Sequence, residues 1–599
     1  MAESGRRRST GNAVQPQGCL GFKSQPVRQS AVSMTSRDSC CRRRGPRGYR
    51  LDERLLRRAH RHSAALNGTG ETSRIVRLLK WLPLAAAIVY AIEVARRLPD
   101  IEDQLTWNSD YVSAITLAQS IGLVGKTGHA IIIQIGYFWF DLAVRPLPFH
   151  RFLWLYAPYA MAIVALLLLA WVAGRLAGRF AAMLTAALGL AASPLVLSTQ
   201  AAQAYHGTTW FGTALLAAFL CWLLTSHPGR IATGAAAVVV AALIGFATAT
   251  DPLLGPTGDA PFGAALLFVW LARRREVEKR AVATGLSVMA GAGLVAVAIV
   301  LTDRAQGYTS SFPRGLTHFV PRENIALHMQ QLASGLFEVA GMPRGGSALG
   351  IVLGLLLVTG VLLPMIWLVH SFRGAMRAPL LAVISFWSAS AVFLAAAFVF
   401  SDVPSDFLEG SARYLVSMFY VAAATVPLWA AANPRRLAAI AVPACVVIFG
   451  NAATVEHDAS TGSFENSFSV QLPEVISILE QHGLTRGYAA YDEASPITLK
   501  SDFQVQVRPV TELFANDAEK CAQPICPYAY NSVSDWYTAG SGPTFILIDP
   551  EMVRLGQPPP ETLEAPVDVL HAGRFAIYVY ADDVAMHMGM PPKFTRPLL

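Results

Sequence analysis

The chain is 599 residues long, 53% hydrophobic and only 15% charged, with a mean hydropathy of +0.41. So apolar a composition excludes an ordinary soluble enzyme and asks for an integral membrane protein. The formal charge of +8 is carried largely by arginines in the N-terminal tail and in short loops between apolar runs, which is a signature of membrane topology rather than of nucleic-acid binding.

Residues 1–77 open on "MAESGRRRST", without the apolar core of a signal peptide, and read as a disordered basic cytosolic tail. Met34 offers an internal start, which leaves residues 1–33 open to being an over-extended reading frame. Apolar stretches then follow near 78–98, 152–173, 180–198, 208–226, 231–250, 258–272, 281–301, 347–369, 379–400, 413–432 and 436–453. At roughly 20 residues per span they predict about eleven transmembrane helices, and they lack the alternation of barrel strands.

With the tail inside, Arg175 and Arg179, Arg230, "RRREVEKR" at 273–280, Arg373 and Arg377, and Arg435 and Arg436 all fall in the cytosol. The alternate loops "TQAAQAYHG" and "TDPLLGPTGD" carry no Lys or Arg. This topology predicts that segments 99–151 and 302–346 and the terminal region 454–599 lie outside, at a plasma membrane. Within the first, "HAIIIQIGYFWF" at 129–140 is too short to span and predicts a helix lying in the interface.

The terminal region changes character. "VQLPEVISILEQHG" has helical spacing, whereas "RGYAAYD", "VQVRPV", "TFILIDP" and "FAIYVYA" read as strands separated by Pro, Gly and Asp. A small extracytoplasmic α/β domain over 454–599 follows. Cys521 and Cys526 flank "AQPI" there, and an oxidising location suits a local disulfide. No cluster with metal-ligand spacing is present, so the sequence asks for no metal site. Asp492 and Glu493 sit near a strand end without a hydrolase or phosphate-loop signature around them.

Several polar residues stand close to the expected outer boundary. Asp110, in "WNSDYVSAIT", is either a functional acid at the interface or part of a helix start in which Ser109 caps. Asp141 lies among aromatics in "YFWFDLAV", where a carboxylate is costly unless solvated or paired, with Arg145 one turn later as a partner. His206 in "AYHGTTW" and Asp251 in "TATDPLL" are cavity-lining candidates whose bland readings are helix packing and helix termination before Pro252. Arg413, followed by Tyr414 in "SARYLVS", stands at the outer mouth of a span; its fork suits phosphate oxygens, and snorkelling to headgroups is the alternative. Arg314 and Arg322 in "FPRGLTHFVPREN" could cover a bound donor or be ordinary loop charges.

Through "WNSDYVSAIT", "YFWFDLAV", "AYHGTTW", "TATDPLL" and "SARYLVS", and over residues 78–453, the chain resembles the integral-membrane GT-C glycosyltransferases. The likeness is strongest to the bacterial branch related to dolichyl-phosphate-mannose protein mannosyltransferases and lipid A aminoarabinose transferases. It implies a GT-C-like catalytic domain and transfer of a sugar from a polyprenyl-phosphate donor to a hydroxyl of a glycan, lipid or protein, by single displacement with inversion. It assigns the base or acceptor-positioning role to Asp110 and lipid-phosphate binding to the Arg413–Tyr414 pair. The adjacent acids usual in the family's first outer loop are displaced here to Glu102 and Asp103, which compete with Asp110 for that role. Some members use a divalent ion, for which this sequence shows no ligand cluster. A transporter or flippase of lipid-linked glycans, and a noncatalytic envelope-assembly protein, are the readings from other classes; no internal repeat of the transporter kind is visible.

Overall fold

A computed structural model describes residues 70–105, 109–124, 130–132, 135–148, 150–201, 204–226, 229–305, 308–310, 319–342, 347–371, 376–401, 404, 411–461, 467–510, 525–528, 531–549 and 563–589. The tail expected over 1–77 and Arg314 lie outside these residues, except that a helix already begins at Gly70.

All eleven predicted segments are helical. In chain order the helices are α1 (Gly70–Leu105), α2 (Ser109–Val124), α3 (Ile135–Val144), α4 (His150–Ala177), α5 (Arg179–Leu190), α6 (Pro194–Ala201), α7 (Ala204–Thr225), α8 (Arg230–Thr250), α9 (Ala260–Ala272), α10 (Lys279–Ala305), α11 (Ile325–Val339), α12 (Ala348–Ser371), α13 (Ala378–Phe400), α14 (Ser417–Ala431), α15 (Pro434–Thr461), α16 (Ser467–Gln481) and α17 (Tyr491–Lys500). Among the described residues, eight helices are long and apolar enough to cross a membrane, or nine if the bent pair α5 and α6 is one span. The 258–272 segment is the short α9, entered through a π-helical turn at Gly255–Asp259.

The segment expected as one span over 180–198 is broken, with an 87° bend between α5 and α6. Proline disfavours helical backbone at the residue before it, so Ser193 cannot continue α5 into Pro194. Backbone groups freed inside a bilayer need partners, and side chains from distant helices supply them. Asn451 Nδ2 donates to the Ala191 carbonyl oxygen at 2.7 Å, and the Tyr90 hydroxyl donates to that of Ala192 at 2.7 Å. The Ser193 hydroxyl donates to the Val339 carbonyl oxygen at 2.6 Å and accepts the Val196 N–H at 3.3 Å.

The C-terminal region is a five-stranded mixed sheet carrying α16 and α17. Its strands are β3 (Arg486–Ala489), β4 (Gln506–Pro509), β6 (Thr544–Ile548), β7 (Asp568–Ala572) and β8 (Phe575–Tyr580), in the order β4-β3-β6-β8-β7. The pairs β4–β3 and β3–β6 are parallel, and β6–β8 and β8–β7 antiparallel. Four of these strands match the predicted ones; the edge strand β7 was not among them. Its residues are largely exposed, so it lacks the apolar pattern of a buried strand.

A second sheet ties the three long segments together. Here β1 (Ala130–Ile132) pairs in parallel with β2 (Tyr308–Ser310) and antiparallel with β5 (Ser532–Val533). The interfacial helix expected over 129–140 is thus corrected: Ala130–Ile132, with two β-branched isoleucines, is a strand, and the helix α3 is Ile135–Val144. Further ties run between the same segments. Lys500 pairs with Asp103, the Ser109 hydroxyl donates to the Tyr491 carbonyl oxygen, and Trp139 Nε1 donates to Asp303 at 3.2 Å. The described parts of segments 99–151, 302–346 and 454–599 that make these contacts therefore share one side of the helical bundle, called here the domain side.

Cys526 is disulfide-bonded; Cys521, its expected partner, lies outside the described residues. Cys221 and Cys445 are free thiols.

Candidate active site at the domain-side ends of the spans

The site is built where α7 begins and α8 ends. Asp251 precedes Pro252, which drives it to extended backbone (φ −141°, ψ 108°) and stops α8. Its Oδ1 accepts the Leu253 N–H at 3.0 Å, closing a turn. Its Oδ2 accepts from the Thr209 hydroxyl and, at 2.9 Å, from His206 Nδ1. Asp251 and His206 are buried at 3% and 1% exposure. Asp251 therefore ends α8 while its carboxylate is held by the Thr209 hydroxyl and His206.

With Nδ1–H donated to Asp251, Nε2 is the ring nitrogen turned away from the carboxylate, and it accepts hydrogen bonds in the Nδ1–H tautomer. The ring stands edge-on to Tyr414, with centroids 5.6 Å apart, and lies 5.8 Å from Trp210. Tyr414 belongs to the 3-10 turn Ser411–Leu415, which opens the span continued by α14. Arg413, half-buried on the same turn, has its guanidinium 5.2 Å from the centre of the Tyr414 ring and donates to its hydroxyl at 3.3 Å. The structure thus gathers Asp251, His206, Tyr414 and Arg413 into one continuous chain of contacts.

Asp141 approaches from α3. Tyr137, one turn before it, is within electrostatic reach of both Asp141 and Asp251, which links the short helix to the cluster. Two glycines allow this approach: a Cβ at Gly136 would collide with Thr250, and one at Gly207 would lie 2.9 Å from the Tyr137 hydroxyl. Asp141 is 3% exposed, and burial alone pushes its carboxyl well above the usual carboxylate range. The proposed Arg145 partner does not pair with it; among the described residues the link between the two is the backbone bond from Arg145 N–H to the Asp141 carbonyl oxygen at 3.0 Å.

The other candidates sit elsewhere or outside the described atoms. Asp110 is in the first turn of α2, whose Ser109 and Ser113 face the C-terminal domain: Ser113 Oγ is 3.1 Å from the Tyr491 hydroxyl and accepts from Asn531 Nδ2 at 2.7 Å. The Ser109 hydroxyl donates to the Tyr491 carbonyl oxygen, a bond that leaves its oxygen able to accept as a cap does. The side chains of Asp110 and Glu102 lie outside the described residues. Asp103 is exposed and held by Lys500, an arrangement that favours a surface ion pair over a catalytic acid. Arg322 is exposed at the head of α11, and among the described residues no ion pair or hydrogen bond of its side chain joins it to the cluster.

Sequence reasoning missed Thr209 and Tyr137. Thr209 was within reach, since it follows His206 by three residues and so shares its helix face; Tyr137 was visible only as the residue one turn before Asp141. No group of His, Cys, Asp and Glu suited to a metal occurs among the described residues.

No protein-family model matches the chain, and no curated protein sequence matches it. Several solved structures are similar. The oligosaccharyltransferase AglB from Archaeoglobus fulgidus, in complex with an inhibitory peptide and a dolichol-phosphate, aligns at 11% identity over 72% of this chain and 64% of its own, with a TM-score of 0.40. ArnT from Cupriavidus metallidurans, bound to undecaprenyl phosphate, aligns at 15% identity over 83% of this chain and 97% of its own, with a TM-score of 0.41. The chain spans 64% of the archaeal enzyme's length. Likenesses this distant assign neither activity nor substrate.

Proposed function

We propose that the protein is a membrane glycosyltransferase that moves a sugar from a polyprenyl-phosphate donor to a hydroxyl acceptor on the extracytoplasmic face. The observation that carries the reading is the buried Asp251–His206 pair abutting Tyr414 and Arg413 at the ends of the spans. A sugar linked to a lipid phosphate needs such a boundary site, apolar below for the lipid and polar above for the transfer.

In this reading Arg413, braced by Tyr414, meets the departing phosphate, whose charge a guanidinium fork suits. His206 accepts a substrate hydroxyl at Nε2. Asp110 takes the acceptor's proton as general base. The C-terminal domain, tied to α2 through Tyr491 and Asn531, recognises the acceptor. The disulfide at Cys526 supports an oxidising compartment for that side.

Membranes containing the protein, supplied with a panel of radiolabelled polyprenyl-phosphate sugars, should pass label from one donor into an acceptor fraction; no incorporation from any donor would remove the transferase reading. The orientation has its own check. A cysteine replacing exposed Ser541 should react with an impermeant thiol reagent in intact cells, and labelling only after permeabilisation would reverse the topology.

A further inference from the structure

A groove of about 220 Å³ runs between α12, α14 and α15, away from the proposed active site's polar cluster. Its walls include Leu353 and Leu357 of α12, Ala423 and Val426 of α14, and Pro443 and Val447 of α15. At one end lies Asn451, which caps the broken span; at the other lie Trp429 and Ile440. Between Ile440 and Asn451 α15 rises about 16 Å, which is half of a hydrocarbon core of roughly 30 Å. The groove is therefore one leaflet deep. Exposed Thr359 on its rim shows that it opens sideways, toward lipid.

Its Trp429 end is near the start of α15, the end opposite the domain side. There the Arg436 guanidinium lies 4.7 Å from the centre of the Trp429 ring. Trp marks the membrane–water interface, and a cation parked on its face at the mouth of an apolar slot presents donors at headgroup level. Basic pockets between spans on the cytoplasmic side suit anionic headgroups.

We propose that this groove is a binding site for an anionic glycerophospholipid of the leaflet opposite the domain side, with one acyl chain between α12, α14 and α15 and the phosphate at Arg436. The site is separate from that of the sugar donor, whose phosphate is assigned to the other membrane face.

Native mass spectrometry of the full chain in mild detergent, titrated separately with phosphatidylglycerol, phosphatidylethanolamine and undecaprenyl phosphate, tests this. Phosphatidylglycerol should bind at roughly fivefold lower concentration than phosphatidylethanolamine, the preference expected of one interfacial Arg. Arg436→Gln should bring the two lipids level. Thr359→Trp, a change at an exposed rim position, should weaken both by obstructing the acyl slot. Equal binding of the two phospholipids by the unmodified protein would overturn the proposal. So would a phosphatidylglycerol preference that survives Arg436→Gln, binding that survives Thr359→Trp, or displacement of phosphatidylglycerol by equimolar undecaprenyl phosphate, which would make the groove an isoprenoid site.

Discussion

Asp251→Asn should lower the rate of sugar transfer about a hundredfold without unfolding the protein, whereas Asp110→Asn should abolish transfer. The Asp251 carboxylate accepts three hydrogen bonds, from Leu253 N–H, the Thr209 hydroxyl and His206 Nδ1. An Asn that keeps the Leu253 N–H on its carbonyl oxygen puts its amide group in the place of Oδ2, where it faces both the Thr209 hydroxyl and Nδ1. The imidazole would change tautomer, Nε2 would become a donor, and a substrate hydroxyl would lose its acceptor. Misplacing a reacting group by about 1 Å can cost on the order of a hundredfold, and loss of a general base typically 10²–10⁴-fold. His206→Ala should match Asp251→Asn, and the double variant should be little worse than either, because the two residues act as a unit. Initial rates at equal protein content, with thermal unfolding recorded beside them, make the measurement. A normal rate in Asp251→Asn would reduce Asp251 to a helix terminator, and a normal rate in Asp110→Asn would remove Asp110 from the mechanism.

The contrast between these two acids also shows where sequence reasoning runs out. Span positions and the arginine pattern were legible because hydrophobic length and the cost of moving cations across a bilayer act locally. His206, Asp251 and the Arg413–Tyr414 pair stood out for the same reason, as polar groups at span ends. Their convergence was not legible. It depends on the start of α7, the end of α8 and the Ser411–Leu415 turn meeting in the fold, and the approach of α3 to them depends on Gly136 and Gly207, whose spacing does not say which helix approaches. The strand Ala130–Ile132 is three residues long and pairs with Tyr308–Ser310 and Ser532–Val533, partners far away along the chain. The break at Ala191–Ser193 has a local cause in Pro194, but it is tolerable only because Asn451 and Tyr90 reach the freed carbonyls.

Glu493 should make the C-terminal domain less stable as pH rises from about 5 to about 8. It lies buried in the first turn of α17, an unremarkable acid in the sequence. Burial, followed by the nearby Asp492 and Asp549 carboxyls, pushes its pKa up to about 8, against a smaller opposing pull from Arg574. Arg574 is already engaged with Asp549 at 2.5 Å, so it neutralises that acid rather than Glu493. In the unfolded chain the group titrates near the ordinary value of about 4.3. Across the interval between these values the folded domain holds a proton that the unfolded chain has released, so stability falls with increasing pH. The contribution is complete below the ordinary value and is lost as pH passes the folded one; it amounts to a few kcal/mol at most, at about 1.4 kcal/mol per unit. Glu493→Gln keeps a neutral side chain of the same shape and should abolish the slope, leaving the variant more stable than the parent at pH 8. Hydrogen exchange of the β3 and β6 amides in the full chain, corrected for the intrinsic dependence on pH, reads this directly. Parallel pH profiles for parent and variant would show that Glu493 is ionised in the folded domain and that a cation outside the described residues compensates it.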